Sequence, residues 1–306
     1  MRRIPDPRVL VRRKGFPFVA PPVPASVAPP VRRPRVGVDF DTAWAREPAA
    51  RIVRAALHAT VVEAGVRVMA DPTVRGADRL DGLDPDTPII FVANHFSHAD
   101  TPLLLRRLPR PWRDRLFVGA AADYFFPNRV AGFAAALGLN AIPIERTKVN
   151  RRSADAAAEL IEDGWSMLIF PEGGRSPDGW GQPFRGGAAY LASRCGVPVV
   201  PVHLAGTERI LPKGASLPRR ASTTITIGSP LHLGPKEDAR KVATRLEQAV
   251  AALADEATTD WWQARRRAHA GTTPSLEGPE LVAWRRAWER TAAERRRPTG
   301  RRWPDV

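Results

Sequence analysis

One cysteine, Cys195, stands among 306 residues. A lone thiol excludes an intrachain disulfide and any cysteine-rich zinc site. No apolar run approaches the roughly 18 residues of a membrane-spanning helix. The longest, VAGFAAALGL at 130–139, is too short. The basic N-terminus MRRIPDPRVLVRRKGF has no apolar core behind it, so no secretory signal is expected. There is no G-x-S-x-G elbow to present a serine nucleophile. Zinc-finger and RNP-type motifs are missing too, so nucleic acid is not an expected partner. Acidic charge is scarce, but only at the ends. Residues 1–40 hold 9 Arg/Lys against 2 Asp/Glu, and residues 261–306 hold 11 against 5, within a net charge of +15. The body between them is nearly neutral. Basic tails of this kind suit an anionic membrane surface, or are simply solvated. With no signal and no spanning helix, the expected location is peripheral, at the cytoplasmic face of a membrane.

Proline and glycine are plentiful, and their placement divides the chain. Residues 1–36, with APPVPASVAPPVRRPRV, read as a Pro-rich basic arm with little packed structure. Residues 37–71 form an N-terminal helical segment. Ile52, Val53, Ala56, Leu57, Thr60, Val61 and Ala64 recur at helical spacing, with Arg51, Arg54 and Glu63 opposite. The expectation is a helix laying its apolar side on the core; the alternative is a helix lying on a membrane surface. Residues 72–258 alternate short β-type runs with helical stretches. Strands are expected at 89–93, 115–120, 141–144, 166–170, 197–204 and 222–228. Helices are expected at 98–108, 127–138, 151–163, 186–195 and 235–256. This alternation predicts an α/β domain with a mixed, largely parallel sheet flanked by helices. Residues 259–306 are a basic Trp/Arg-rich extension, in which LVAWRRAWERTAAERRR has amphipathic spacing.

In such folds chemistry sits beyond the strand ends, and there NHFSHAD (94–100) follows the apolar run PIIFVA. Three readings of it compete. Ser97 and Asp100 have the spacing of a capping box, which would make Asp100 a helix-start residue. His95, His98 and Asp100 offer metal ligands, but the other four histidines form no motif to complete a site. The third is acid–base chemistry. A separation of five does not align two side chains on one helical face. His95 and Asp100 can meet only if His95 lies in the loop and Asp100 in the first turn, which the Ser97 cap would arrange. The carboxylate would then fix the imidazole tautomer while His95 accepts a proton from a substrate hydroxyl. Cys195, in LASRCG, reads as core.

Asn94-His95-x-x-x-x-Asp100 resembles the NHx₄D motif of the glycerolipid acyltransferase superfamily, of the lysophosphatidate acyltransferase type. GLNAIPIER, ending at Arg146, resembles its second block. FPEGGRS (170–176) resembles the third, and VPVVPV with Pro201 the fourth. The resemblance runs from about Gly76 to Leu233. It implies a glycerol-phosphate acyltransferase-like fold. It also implies transfer of a fatty acyl group from acyl-CoA or acyl-carrier protein to a hydroxyl of a lysophospholipid, most readily 1-acylglycerol 3-phosphate giving phosphatidate, with no metal or other cofactor. By similarity His95 is the base and Asp100 its partner. Arg146, Glu172, Gly173 and Arg175 would hold the acceptor's phosphate and glycerol, and Pro201 would shape the acyl side. Arginine's forked, charge-assisted hydrogen bonds suit phosphate. Glu172 cannot bind phosphate, so it is expected to orient an arginine or accept a glycerol hydroxyl. Gly174 stands where the family has threonine, and GAAAD (119–123) lacks a lysine many members carry. A glycolipid or an amino-acid lysolipid acceptor is therefore the alternative. A non-catalytic lipid-binding protein on the same fold is the remaining alternative.

Overall fold

The computed structural model describes residues 37–145, 151–234, 237–279, 285–286 and 288–289. The Pro-rich arm and most of the LVAWRRAWERTAAERRR segment lie outside the described residues.

A seven-stranded sheet forms the centre. Its strands are β1 (Pro72–Arg75), β2 (Ile90–Ala93), β3 (Leu116–Ala121), β4 (Ala141–Ile144), β5 (Ser166–Ile169), β6 (Val199–Ala205) and β7 (Thr223–Ile227). Their order is β1-β7-β6-β2-β5-β3-β4. Strands β2 to β6 run parallel, β7 is antiparallel to β6, and β1 is parallel to β7. All four residues of β2 are buried, as a central strand covered on both faces requires. Its side chains alternate: Phe91 and Ala93 join one apolar cluster, Ile90 and Val92 the other. At Gly119 in β3, a Cβ would fall 2.8 Å from Met167 Cε on the neighbouring strand. A larger residue there would make the flexible end of that methionine shift.

Helix α1 (Pro48–Leu57) runs through a single π-helical turn (His58–Val62) into α2 (Glu63–Ala70), and on the Phe91 face lie α2, α3 (Asp100–Arg107) and the short α4 (Arg110–Asp114). A short helix α5 (Ala122–Phe125) leads to α6 (Arg129–Leu139). The opposite face is covered by α7 (Arg151–Glu162), α8 (Gly187–Cys195) and α9 (Ala239–Thr258). Helix α10 (Trp261–Ala270) follows, tied to α9 by Arg267 Nη1 and the buried Asp255 Oδ1 at 2.6 Å. Among the described residues no helix is long and apolar enough to cross a membrane.

The N-terminal helix forms as expected but is turned over. Ile52 is 70 % exposed and Val61 66 %, whereas Arg54 and Glu63 are each only 9 % exposed. The charges face inward because each finds a partner there. Glu63 accepts from Arg67, Arg106 and Arg107, the last two on α3. Arg54 donates to the carbonyl of Ala45. Helix spacing identified the stripe; partners distant in sequence chose which side of it is buried. Two further differences concern short elements. Strand β1 was not foreseen, because PTVR is brief, charged and largely exposed at the sheet edge. Helix α4 escaped notice because a proline opens it and it runs five residues.

Candidate active site

The chain leaves β2 at Ala93, and Asn94 keeps hold of the sheet. Its fully buried side chain donates to the carbonyl of Leu204 and accepts from the N–H of the same residue. Past it, the loop turns so that the N–H groups of Phe96 and Ser97 both reach Asp100 Oδ2, each at 2.8 Å. His95 Nδ1 lies 2.8 Å from that same oxygen. Asp100 opens α3 and is completely buried. Its carboxylate therefore collects three donors on one oxygen and sits at the positive end of the helix.

Only half of the capping box is present. Asp100 reaches back to the Ser97 N–H. The Ser97 hydroxyl instead accepts from Ala99 N–H and donates to the carbonyl of Leu211. It ties the loop to the segment after β6 and holds Ala99, the residue just before the helix, without capping the N–H of Asp100.

His95 is held in its plane as well as at its edge. Its ring stacks on Phe170 with centroids 4.1 Å apart and planes 19° from parallel. With Nδ1–H donating to Asp100, Nε2 carries the lone pair, and no described group bonds to it. An imidazole held in this way, with its second nitrogen left open, has the geometry that general-base chemistry needs.

The second loop, FPEGGRS, is stitched to the first through Glu172, which is 3 % exposed. One of its oxygens accepts from the N–H of His95 and the other from that of Gln182. Burial pushes its carboxyl up to about 8, with the two main-chain donors pulling the other way. A further link runs from Ser176 N–H to the carbonyl of His95. Gly173 turns with φ +74°, the left-handed region, and the guanidinium of Arg185 lies 3.0 Å from where a Cβ would go.

Arg175 stands over the ring of Tyr124, 5.7 Å from its centroid. The Tyr124 hydroxyl lies 2.8 Å from His98 Nε2. Burial lowers the pKa of His98, and Arg175 and His95 lower it further. No carboxylate pairs with Arg175 among the described residues. The site thus sets an oriented imidazole in the same loop cluster as a guanidinium with no carboxylate partner among the described residues, an arrangement that suits a hydroxyl on an anionic molecule.

Residues 71–205 match the family model described as Acyltransferase. Over these residues the chain is similar to the acyltransferase family.

The matched segment has named relatives. Over 157 residues the chain is 34% identical to a chloroplastic 1-acyl-sn-glycerol-3-phosphate acyltransferase of Brassica napus, covering 50% of this chain and 43% of the relative. Over 183 residues it is 33% identical to a 1-acyl-sn-glycerol-3-phosphate acyltransferase of Chlamydomonas reinhardtii, covering 58% and 52%. The chain spans about half the length of these curated relatives. The crystal structure of the 1-acyl-sn-glycerophosphate (LPA) acyltransferase PlsC from Thermotoga maritima superposes with a TM-score of 0.55 at 25% identity, covering 70% of this chain and 84% of that one. The mixed, mostly parallel sheet flanked by helices is the acyltransferase fold.

Within this domain, His95, Asp100 and Glu172 come together directly, and Arg175 joins them through Tyr124 and His98. Glu172 spends its two oxygens on the main chain of His95 and Gln182 as a clasp between loops, where the sequence suggested an arginine orienter or a glycerol contact. Pro201 is buried inside β6, in register with Val92 and packed against Gly228. Arg146 lies outside the described residues. His98 figured in the sequence only as a metal ligand, and among the described residues no group of three or more His, Cys, Asp or Glu is arranged to hold a metal. The link between Tyr124 and His98 was missed, since 26 positions separate them and Tyr124 belongs to no motif block.

Proposed function

We propose that this protein transfers a fatty acyl group from acyl-CoA or acyl-carrier protein to the free hydroxyl of a lysophospholipid, 1-acylglycerol 3-phosphate above others, giving phosphatidate. The reaction runs at an anionic membrane surface, to which the basic ends hold the protein peripherally. The observation that carries the reading is the 2.8 Å contact between His95 Nδ1 and Asp100 Oδ2, with the ring stacked on Phe170.

In the reaction, His95 Nε2 takes the proton of the acceptor hydroxyl as that oxygen attacks the thioester carbonyl. The imidazolium that forms is stabilised by Asp100, which keeps its charge throughout. Collapse of the tetrahedral intermediate breaks the carbon–sulfur bond. The departing thiolate recovers the proton from His95, leaving an ester and a free thiol. Arg175 supplies a guanidinium for the acceptor's phosphate. Glu172 and Gly173 act one step back, by fixing the loop that presents Arg175 and by pinning the main chain of His95. The names of the relatives support a lysophosphatidate acceptor.

The test is acyl-CoA turnover against a panel of lysolipids and glycerol 3-phosphate, with products read by mass spectrometry. Wild type should form phosphatidate fastest. His95→Ala should fold normally and lose about 10²- to 10⁴-fold in rate. A folded His95→Ala protein with an unaltered rate would overturn the mechanism, and indifference to the acceptor's phosphate would overturn the substrate.

A further inference from the structure

At the other end of the parallel strands lies a cavity of about 730 Å³ that the reaction does not use. Its walls include Leu116, which opens β3, and Asn140, just before β4. His95 follows the closing residue of β2, a strand running the same way, so the cavity and the base sit at opposite edges of the sheet.

Five arginines line it: Arg51 and Arg54 from α1, Arg106 from α3, and Arg110 and Arg113 from α4. One carboxylate, Asp114, lines it with them, and it is 62 % exposed with its oxygen 3.9 Å from Arg113. Glu63 compensates Arg106, but it is shared with Arg67 and Arg107. Arg54 is buried and has no carboxylate partner among the described residues. Burial, and then the charges of Arg51 and Arg46, lower its pKa to about 10. Arg113 is likewise lowered by burial and then by Arg106. Like charges have been gathered into a partly desolvated concavity, and an anion seated among them would relieve both costs. Guanidinium forks match phosphate oxygens in geometry as well as in charge.

The rim indicates where the phosphate comes from. Ile52 lines the cavity and is 70 % exposed; Val53 beside it is 52 % exposed. A soluble phosphoester gains nothing from that apolar lip, whereas a bilayer lipid brings acyl chains to cover it. We infer that this cavity is a second, non-catalytic site, in which the arginines of α1, α3 and α4 hold the phosphate of an anionic lipid headgroup while Ile52 and Val53 rest against its chains.

The experiment is sedimentation of the full chain with phosphatidylcholine vesicles, with and without phosphatidylglycerol. Phosphatidylglycerol is neither substrate nor product of the proposed reaction. Arg51→Ala/Arg110→Ala removes two exposed guanidiniums of the cavity, so folding is preserved. Arg240→Ala/Arg266→Ala removes equal charge from exposed positions on α9 and α10. The cavity pair should weaken binding to anionic vesicles by about tenfold and the control pair by much less. In parallel, inorganic pyrophosphate should raise the melting temperature of wild type and of the control pair, but not of the cavity pair. Equal losses from both pairs would reduce the effect to diffuse charge and overturn the site. Protection by pyrophosphate that depends on the cavity arginines, with vesicle binding indifferent to them, would overturn the lipid assignment in favour of a soluble phosphoester. Each readout is binding, so the result stands whether or not the protein transfers acyl groups.

Discussion

Replacing Asp100 separates what its carboxylate does for folding from what it does for chemistry. Asp100 Oδ2 accepts from His95 Nδ1, Phe96 N–H and Ser97 N–H in a fully buried position. In Asp100→Asn the amide oxygen can occupy that place and keep all three bonds, while the charge is lost. Opposite unit charges about 4 Å apart at an effective dielectric near 20 attract by about 4 kcal/mol. That attraction exists only when His95 is protonated, which in the proposed reaction means the transition state. Its loss corresponds to a fall of roughly 10³-fold in turnover. The cost to folding is smaller, about 1–2 kcal/mol, because charge-assisted bonds become neutral ones. Asp100→Ala differs: it strands two buried main-chain donors at about 1–3 kcal/mol each. Turnover is read by thiol release and stability by urea unfolding. A folded Asp100→Asn enzyme working within threefold of wild type would show that the carboxylate does not support the imidazolium, and the assignment of His95 as the base would fall with it.

The carboxyl of Glu172 is raised from its ordinary 4.5 to about 8 by burial. The folded state therefore holds a proton that the unfolded state releases between those values. Stability from this group is complete below the lower value and lost as pH rises towards the upper, with a slope on the order of 1 kcal/mol per pH unit. Glu172→Gln should flatten that decline in urea midpoint; an unchanged slope would mean the carboxyl is ionised in place. Glu63 behaves in the opposite sense. The hydrogen bond from Arg107 holds it well below the usual carboxylate range, burial opposes this, and Arg106 and Arg67 add to the depression. Its contribution is present at neutral pH and fades as pH drops below 4.5. Glu63→Gln should cost about 3 kcal/mol at neutral pH and remove part of the acid limb from the unfolding curve. Gly173→Ala meets both a left-handed backbone and the Arg185 guanidinium. It should destabilise by about 1–3 kcal/mol and slow turnover through the FPEGGRS loop; wild-type melting and rate would show that the turn tolerates a side chain.

Much of this architecture could be read from the sequence, and the exceptions share a cause. Strands β2 to β7 and the long helices follow from short apolar runs alternating with helical periods, since parallel strands covered on both faces cannot be polar. The meeting of His95 and Asp100 followed from a separation of five plus a helix start between them, although the box proved one-sided. What resisted reading depended on distant partners. Arg54 and Glu63 face inward because Ala45, Arg106 and Arg107 await them there. No periodicity distinguishes that helix from one with its valines buried. Glu172 looked like a substrate ligand because a glutamate beside two glycines suggests a loop contact. Its real partners are two main-chain N–H groups, one of them 77 positions away. Main-chain acceptors and donors leave no trace in side-chain pattern.

The first letter of the NHx₄D signature answers to geometry alone. Where β2 stops, the carboxamide of Asn94 impersonates one more peptide group, giving and taking with Leu204 as a strand residue would. The polypeptide can thus peel away to display an imidazole while its point of departure stays riveted to the neighbouring strand. Aspartate there would set a second acceptor against a carbonyl, and leucine would abandon both partners. An asparagine that serves only the sheet is as constrained as the histidine it precedes.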